Sequence, residues 1–341
     1  MRNVALIGLG KIGIIHAGIV NALPEARIKA ICEKNALLLR VARKFLPKTV
    51  ALYKDHLDMV KNEEIQAVFI TTPIDTHVPI VSDLVRANTN LSLFVEKPLG
   101  SSAEQAKTAC EAARKMQGIH MVGFQRRFSP VFQRAKQLIE DGSIGEMMFF
   151  RAHTFSSIVL SKGRSWRLRK GSGGVLLDLA PHLLDVLLWF FGEPSSVLAV
   201  KRRLYSKEVE DYVHAVISFH SGLKGHMDAC WSIRSFRLPE MSIEIRGKNG
   251  TLLLTDDYLK VQLDKVGPAG AGGSHVYYKQ SFDTSVPFLL DEPELTMEDA
   301  AFLLSMEKRT MPSSNFFQAA KVNMLIDQIN KSATSREADF R

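Results

Sequence analysis

A chain of 341 residues with 46% apolar and 23% charged residues is too long for one ordinary core and suggests two domains, and without a low-complexity block it is not disordered. Its formal net charge of +8 raises nucleic acids and anionic small molecules as partners. Neither a recognition helix nor an aromatic platform accompanies the basic segments, which excludes nucleic acid.

Met1 and Arg2 lead directly into Val4–Ile7 and a glycine turn, with no room for a secretory signal, and no later apolar run approaches membrane length; a cytoplasmic protein without a membrane partner is expected. Residues 3 to 140 alternate apolar runs with amphipathic segments, the pattern of a parallel sheet covered on both faces. The strands are expected at Val4–Ile7, Ile28–Ile31, Val50–Leu52, Ala67–Ile70, Leu91–Val95 and Ile119–Val122. Helices are expected at Lys11–Ala22, Ala36–Phe45, Asp55–Lys61, Pro79–Ala87, Ala103–Met116 and Pro130–Glu140. The spacing specifies an N-terminal Rossmann domain, doubly wound.

Beyond Gly145 the rhythm changes. An apolar helix near 179–191 is followed by alternating stretches at Ser196–Leu204, Val213–Phe219, Lys224–Trp231 and Ser242–Arg246, which predict an α+β domain on an open, mainly antiparallel sheet. The Gly250 turn and the glycine-rich segment 267–273 read as its connections, the latter as a mobile tip. Asn315–Asn330 is an amphipathic helix that returns to the first domain. The expected division is 1–123 for the Rossmann domain, 124–314 for a substrate-binding and oligomerisation domain, and 315–341 for the returning helix. Cys32, Cys110 and Cys230 are odd in number and widely spaced, which points to buried thiols rather than disulfides or zinc.

Three groups of residues carry chemistry. Gly8-Leu9-Gly10-Lys11-Ile12-Gly13 follows the first strand and opens the first helix, where the first glycine permits the tight turn, the second admits a pyrophosphate to the backbone, and the third lets helix and strand pack closely. Glu33, about twenty residues on at the end of the second strand, can accept hydrogen bonds from an adenosine ribose and favours NAD; Lys34 beside it leaves NADP as the alternative. The second group, Thr71-Thr72-Pro73 and Glu96-Lys97-Pro98, lies after the fourth and fifth strands, at the sheet edge where doubly wound folds bind ligands. The third is Asp178, His182 and Asp185, spaced to share one helical face. Pro181 requires the helix to begin near Asp178. At this level Asp178 is either an N-cap or a functional carboxylate, and His182 either a core histidine or a catalyst.

Together these segments resemble the glucose-fructose oxidoreductase / inositol dehydrogenase family (Gfo/Idh/MocA) over nearly the whole chain. The resemblance rests on Gly8–Gly13 with His16 on the following helix, Thr72-Pro73 followed by His77, Glu96-Lys97-Pro98, Gly123–Pro130 with Arg127-Phe128, Trp166-Arg167, and Asp178, His182 and Asp185. It implies an NAD(P)-dependent oxidoreductase that moves a hydride between nicotinamide and a sugar or polyol hydroxyl. Lys97 then stabilises the substrate oxygen, His182 is the general base, and Asp178 orients substrate or histidine. Cofactor contacts are expected from Gly8, Gly10, Lys11, Ile12, Gly13, Glu33, Thr72, Pro73, His77, Glu96, Lys97 and Gln125. Substrate contacts are expected from Lys97, Arg127, Arg167, Asp178 and His182.

Two departures from the family pattern stand out. Ala180-Pro181 replaces the usual glycine between the aspartate and the histidine, and Leu168-Arg169-Lys170 makes a basic rim. Six basic and no acidic residues between Arg151 and Leu177 suggest a sugar bearing a carboxylate, phosphate or nucleotide diphosphate. A lyase or glycosidase with internal redox recycling and a non-catalytic NAD(P)-binding regulator are the competing functions. Metal chemistry at Asp178, His182 and Asp185 lacks a further ligand, so no metal is expected. The open sheet predicts a homodimer or homotetramer.

Overall fold

The computed structural model describes residues 1–157, 160, 168, 173–264, 272–282 and 292–339. They divide into two units, the first from 1–125 and 286–323, the second from 126–285 and 324–341.

In the first unit, six strands, β1 (Arg2–Ile7), β2 (Ala26–Cys32), β3 (Ala51–Tyr53), β4 (Ala67–Ile70), β5 (Ser92–Glu96) and β6 (His120–Gly123), form one parallel sheet in the order β3-β2-β1-β4-β5-β6. The order reverses between β1 and β4, which opens a crevice at their carboxyl ends. Residues Val4–Ile7 and Ala67–Ile70 are buried throughout, as strands covered on both faces must be.

The crossovers are α1 (Lys11–Ala22), α2 (Ala36–Phe45), α3 (His56–Asn62), α4 (Ile74–Ala87) and α5 (Ala103–Ala113). Asn35, Asp55 and Ser102 cap α2, α3 and α5 through side-chain oxygens that accept from backbone N–H groups, satisfying donors the helix cannot. Pro79 does not open α4 as the sequence suggests. The helix begins at Ile74 and runs through it; the proline withholds one N–H, and burial of Ile74, Val78, Val81 and Leu84 holds the turn together.

The second unit begins with α6 (Pro130–Glu140) and β7 (Met147–Phe155), followed by α7 (Val175–Asp178) and α8 (Ala180–Phe191). Then come β8 (Pro194–Arg202), β9 (Tyr212–Phe219), β10 (Lys224–Cys230), β11 (Glu240–Gly247), β12 (Gly250–Thr255), β13 (Tyr258–Leu263) and β14 (Gly273–Tyr278). These form an eight-stranded sheet in the order β14-β13-β12-β11-β7-β10-β9-β8. Only the β7–β10 pair among them is parallel.

One face of this sheet buries Phe150, Ala152, Met227, Ile243, Leu252 and Leu254 beneath α6 and α8. The other face shows Phe149, Leu198, Val200, Val216, Val276 and Tyr278 to solvent.

Two helices complete the chain: α9 (Pro293–Lys308) and α10 (Phe316–Asp339). The first packs against α1, so 293–314 belongs to the first unit, and the expected domain of 124–314 is too long at its end. The second is shared, its residues to Asn323 in the first unit and from Met324 in the second. The glycines 267–271 lie outside the described residues, while Gly273 opens β14. No helix among the described residues is long and apolar enough to cross a membrane.

Candidate active site

In the first unit the glycine loop has three distinct geometries. Gly8 sits at φ 102°, and a Cβ there would lie 3.0 Å from the Thr71 carbonyl oxygen. A Cβ on Gly13 would lie 2.2 Å from the Gly8 carbonyl and 2.6 Å from Thr71 Oγ1, so only glycine allows α1 this approach to the strand. At Gly10 a Cβ would meet no atom within 4 Å. Gly10 heads α1 without a side-chain cap, ahead of exposed Lys11 and half-buried Ile12. This is a cradle whose floor is backbone N–H and whose empty space suits a pyrophosphate.

The walls of the cradle are hydrogen-bonded to one another. Thr71 Oγ1 donates to the Gly8 carbonyl at 2.9 Å. Glu33 accepts from the Leu9 N–H at 2.8 Å through Oε2 and from the Asn35 N–H at 2.8 Å through Oε1. The carboxylate expected to meet the ribose is therefore already aimed and fixed, and each oxygen retains a lone pair for a hydroxyl.

The second group of residues is held by histidines. His77, on α4, is 1% exposed, with Nδ1 3.0 Å from the Pro98 carbonyl and Nε2 2.8 Å from the Thr72 carbonyl. Burial lowers its pKa and the two carbonyls partly offset this. The structure thus gives His77 the task of joining Thr72-Pro73 to the cis Lys97–Pro98 peptide, where the sequence suggested a cofactor contact.

Glu96 is similarly engaged. Its Oε1 lies 3.0 Å from His16 Nε2, and its Oε2 accepts the Lys97 N–H at 3.0 Å. His16 in turn meets Asp299 on α9. Lys97 itself is half-buried at the end of β5. Gln125 donates from Nε2 to Glu292 at 2.6 Å.

In the second unit the helix expected near 179–191 is α8, and a separate helical turn, α7, precedes it. Asp178 ends α7, and α8 starts at Ala180 with Pro181 second and His182 third. Pro181 falls in the first turn, where its missing N–H costs nothing. Leu179 occupies the cap position and no side chain caps α8. Asp178 is therefore not an N-cap; it is 6% exposed, with His182 half-buried beyond it.

Glu210, a residue the sequence did not single out, supports this turn. Its carbonyl accepts from Val175 at 3.1 Å and its Oε1 from Leu176 at 3.2 Å. At Gly174, φ 106°, a Cβ would lie 2.3 Å from that oxygen. Burial pushes the Glu210 carboxyl up from its ordinary value.

Asp185 does not join Asp178 and His182 as the helical spacing suggests. It is 0% exposed and binds Arg127 through both oxygens, Nε to Oδ2 at 2.8 Å and Nη2 to Oδ1 at 2.7 Å. The guanidinium also lies 5.7 Å from the centre of the Trp189 ring. Burial raises the Asp185 pKa against the pull of Arg127. This buried fork turns Arg127 onto Asp185 where the sequence suggested a substrate contact, because an aspartate fully removed from water requires a paired cation. Arg167, Trp166 and the basic residues 169–170 lie outside the described residues.

Comparison with known proteins follows the same division. Residues 2–124 match the model of an oxidoreductase family with an NAD-binding Rossmann fold, and residues 132–253 match the GFO/IDH/MocA C-terminal domain. The chain is 29% identical over 260 residues to scyllo-inositol 2-dehydrogenase (NAD(+)) of Bacillus subtilis, covering 73% of this chain and 72% of that one. It is 29% identical over 289 residues to levoglucosan dehydrogenase of Pseudarthrobacter phenanthrenivorans, with 74% and 73% covered. Among solved structures, levoglucosan dehydrogenase in complex with NADH and levoglucosan superposes with a TM-score of 0.86 at 27% identity, covering 98% of this chain and 97% of that one.

Proposed function

This chain belongs to the GFO/IDH/MocA oxidoreductase family, and we propose that it is an NAD-dependent dehydrogenase of a polyol, cyclitol or anhydrosugar. The observation that carries the cofactor half is the open position at Gly10, between a fixed Glu33 and the head of α1. The relatives supply the substrate class: inositols and levoglucosan are the substrates in their names.

NAD, when bound, supplies the acceptor for the hydride. The chain's own residues manage the proton and the oxygen. Lys97 stabilises the negative charge that develops on the reacting oxygen; His182 takes the hydroxyl proton at a ring nitrogen; Asp178 orients histidine or substrate. In the reverse direction His182 returns the proton. Arg127 serves this site through Asp185, by fixing α8. The three cysteines are buried and unbridged, the state expected in a reducing cytoplasm.

The test is a panel of scyllo-inositol, myo-inositol, levoglucosan and an anionic sugar acid with NAD and NADP, followed at the nicotinamide absorbance. Net NADH formation with a neutral member is the expected result. Binding of NADH without any net reduction across the panel would shift the function to internal redox recycling or to regulation.

The open face of the second sheet supports assembly with a second copy, as a homodimer or homotetramer. Exposed Leu198, Val200 and Val216 on the adjacent strands β8 and β9, with Phe149 on the same face of β7, are more apolar surface than a solitary sheet usually leaves in water. Light scattering is expected to give a multiple of 38.1 kDa; the monomer mass at micromolar concentration would contradict it.

A further inference from the structure

We propose that His16 is a positioning residue: held as an imidazolium between Asp299 and Glu96, it fixes the carboxylate that accepts the Lys97 backbone N–H, and so sets where the Lys97 side chain starts. The proposal rests on the role given to Lys97 above.

The geometry is that of a ring between two anions. His16 is 0% exposed. Its Nδ1 lies 2.8 and 2.9 Å from the two oxygens of Asp299, and its Nε2 lies 3.0 Å from Glu96 Oε1. The other Glu96 oxygen accepts the Lys97 N–H at 3.0 Å. A neutral imidazole has one N–H and would present a lone pair to one of two acceptors, whereas an imidazolium donates to both.

The surroundings reinforce the choice. Phe69 and Phe94 lie 5.6 and 5.1 Å from the imidazole centre, and Phe302 closes edge-on against both phenyl rings. The acidic groups facing the ring are Asp299 from α9 and Glu96 from β5; β4 presents Phe69. A fully buried Asp299 and a Glu96 side chain only 13% exposed favour a cation between them.

Burial alone would push the His16 pKa down, and the two carboxylates override it to leave it well above its ordinary value. Burial pushes Glu96 up, and the hydrogen bond and charge of His16 bring it below its ordinary value. The signs follow. The raised His16 stabilises the fold fully below its unfolded pKa and loses that contribution as pH rises through the folded value. The lowered Glu96 contributes above its unfolded pKa and loses its part as pH falls through its folded value. Burial pushes the Asp299 carboxyl up and His16 pulls it back only in part, so above its unfolded pKa Asp299 works against the other two.

The arrangement reaches beyond stability. His16 stands one turn beyond Gly13 on α1, so one ring ties the helix that heads the glycine cradle to the strand end that carries Lys97.

The experiment uses the full chain with labelled histidine, followed by nuclear magnetic resonance from about pH 6 to about pH 9. Protons on both His16 ring nitrogens near neutral pH are expected; a neutral tautomer there overturns the proposal. Amide exchange then reads the consequence. In Asp299→Asn, which keeps the shape of the cluster, and in His16→Gln, the Lys97 amide should exchange roughly tenfold faster while Phe69 on β4 is unmoved. Unchanged Lys97 exchange, or equal acceleration across the whole sheet, overturns it. If the exchange result holds but Lys97→Ala keeps full turnover, the catalytic role of Lys97 fails and the His16 clamp stands.

Discussion

Replacing His182 with alanine is expected to lower kcat by roughly 10²- to 10⁴-fold, the range for loss of a general base, while the affinity for NADH is unchanged. The structure separates these effects because His182 belongs to the second unit and the glycine cradle to the first. His182 is the third residue of α8, half-buried, after a turn whose backbone is tied to Glu210. Its removal leaves that turn and the Arg127–Asp185 pair in place, so the loss should appear in chemistry rather than in folding. Lys97→Ala should cost roughly 10²- to 10³-fold, as removal of one charge-stabilising donor does. On the proposed mechanism both residues serve one substrate oxygen, so the double variant should fall little further. Steady-state kinetics beside fluorescence titration of NADH measure both. Full kcat in either single variant would remove that residue from the mechanism.

The second large effect separates two glycines of one loop. Gly13→Ala puts a methyl 2.2 Å from the Gly8 carbonyl, backbone that cannot turn aside. The expected cost is about 1 to 3 kcal/mol of stability, together with loss of NADH binding as the loop is displaced. Gly10→Ala meets no protein atom within 4 Å, so its melting temperature should match the wild type. Its new methyl occupies the space given to the pyrophosphate, and NADH affinity should fall roughly tenfold, which corresponds to about 1.4 kcal/mol. Thermal unfolding and NADH titration of the two variants distinguish a packing glycine from a binding glycine. Wild-type affinity in Gly10→Ala would show that the phosphates lie elsewhere.

Much of the first unit is legible in the sequence because its parallel strands are apolar runs bounded by turns. Lys11–Ala22, Ala36–Phe45 and Ala67–Ile70 appear where the pattern places them. The glycine loop is legible for the same reason, since its spacing encodes backbone geometry. Pattern fails where a surface breaks the alternation. No alternation marks strand β7: Met148 and Phe149 are exposed beside buried Phe150, so its two faces look alike.

The helix α9 is hidden by the opposite cause. It buries Glu294, Thr296, Glu298 and Asp299 beside Leu295, Phe302 and Leu303, and no apolar stripe marks it. Contacts across long separations were equally invisible. His16 and Asp299 are 283 residues apart, and nothing local to either announces the other. Helical spacing places Asp185 on the Asp178 and His182 face and does not reveal that Arg127, 58 residues earlier, claims its carboxylate.

Transfer of a deuterium label tests the central claim most directly. The purified protein is incubated with NAD and with scyllo-inositol, myo-inositol or levoglucosan deuterated at the carbinol carbons, and the reduced nicotinamide is weighed by mass spectrometry. One deuterium in NADH from at least one of these substrates is the expected result, with the label absent in the Lys97→Ala and His182→Ala samples. Reduced cofactor without label, or no reduced cofactor from any of the three, would contradict hydride transfer from a polyol carbon.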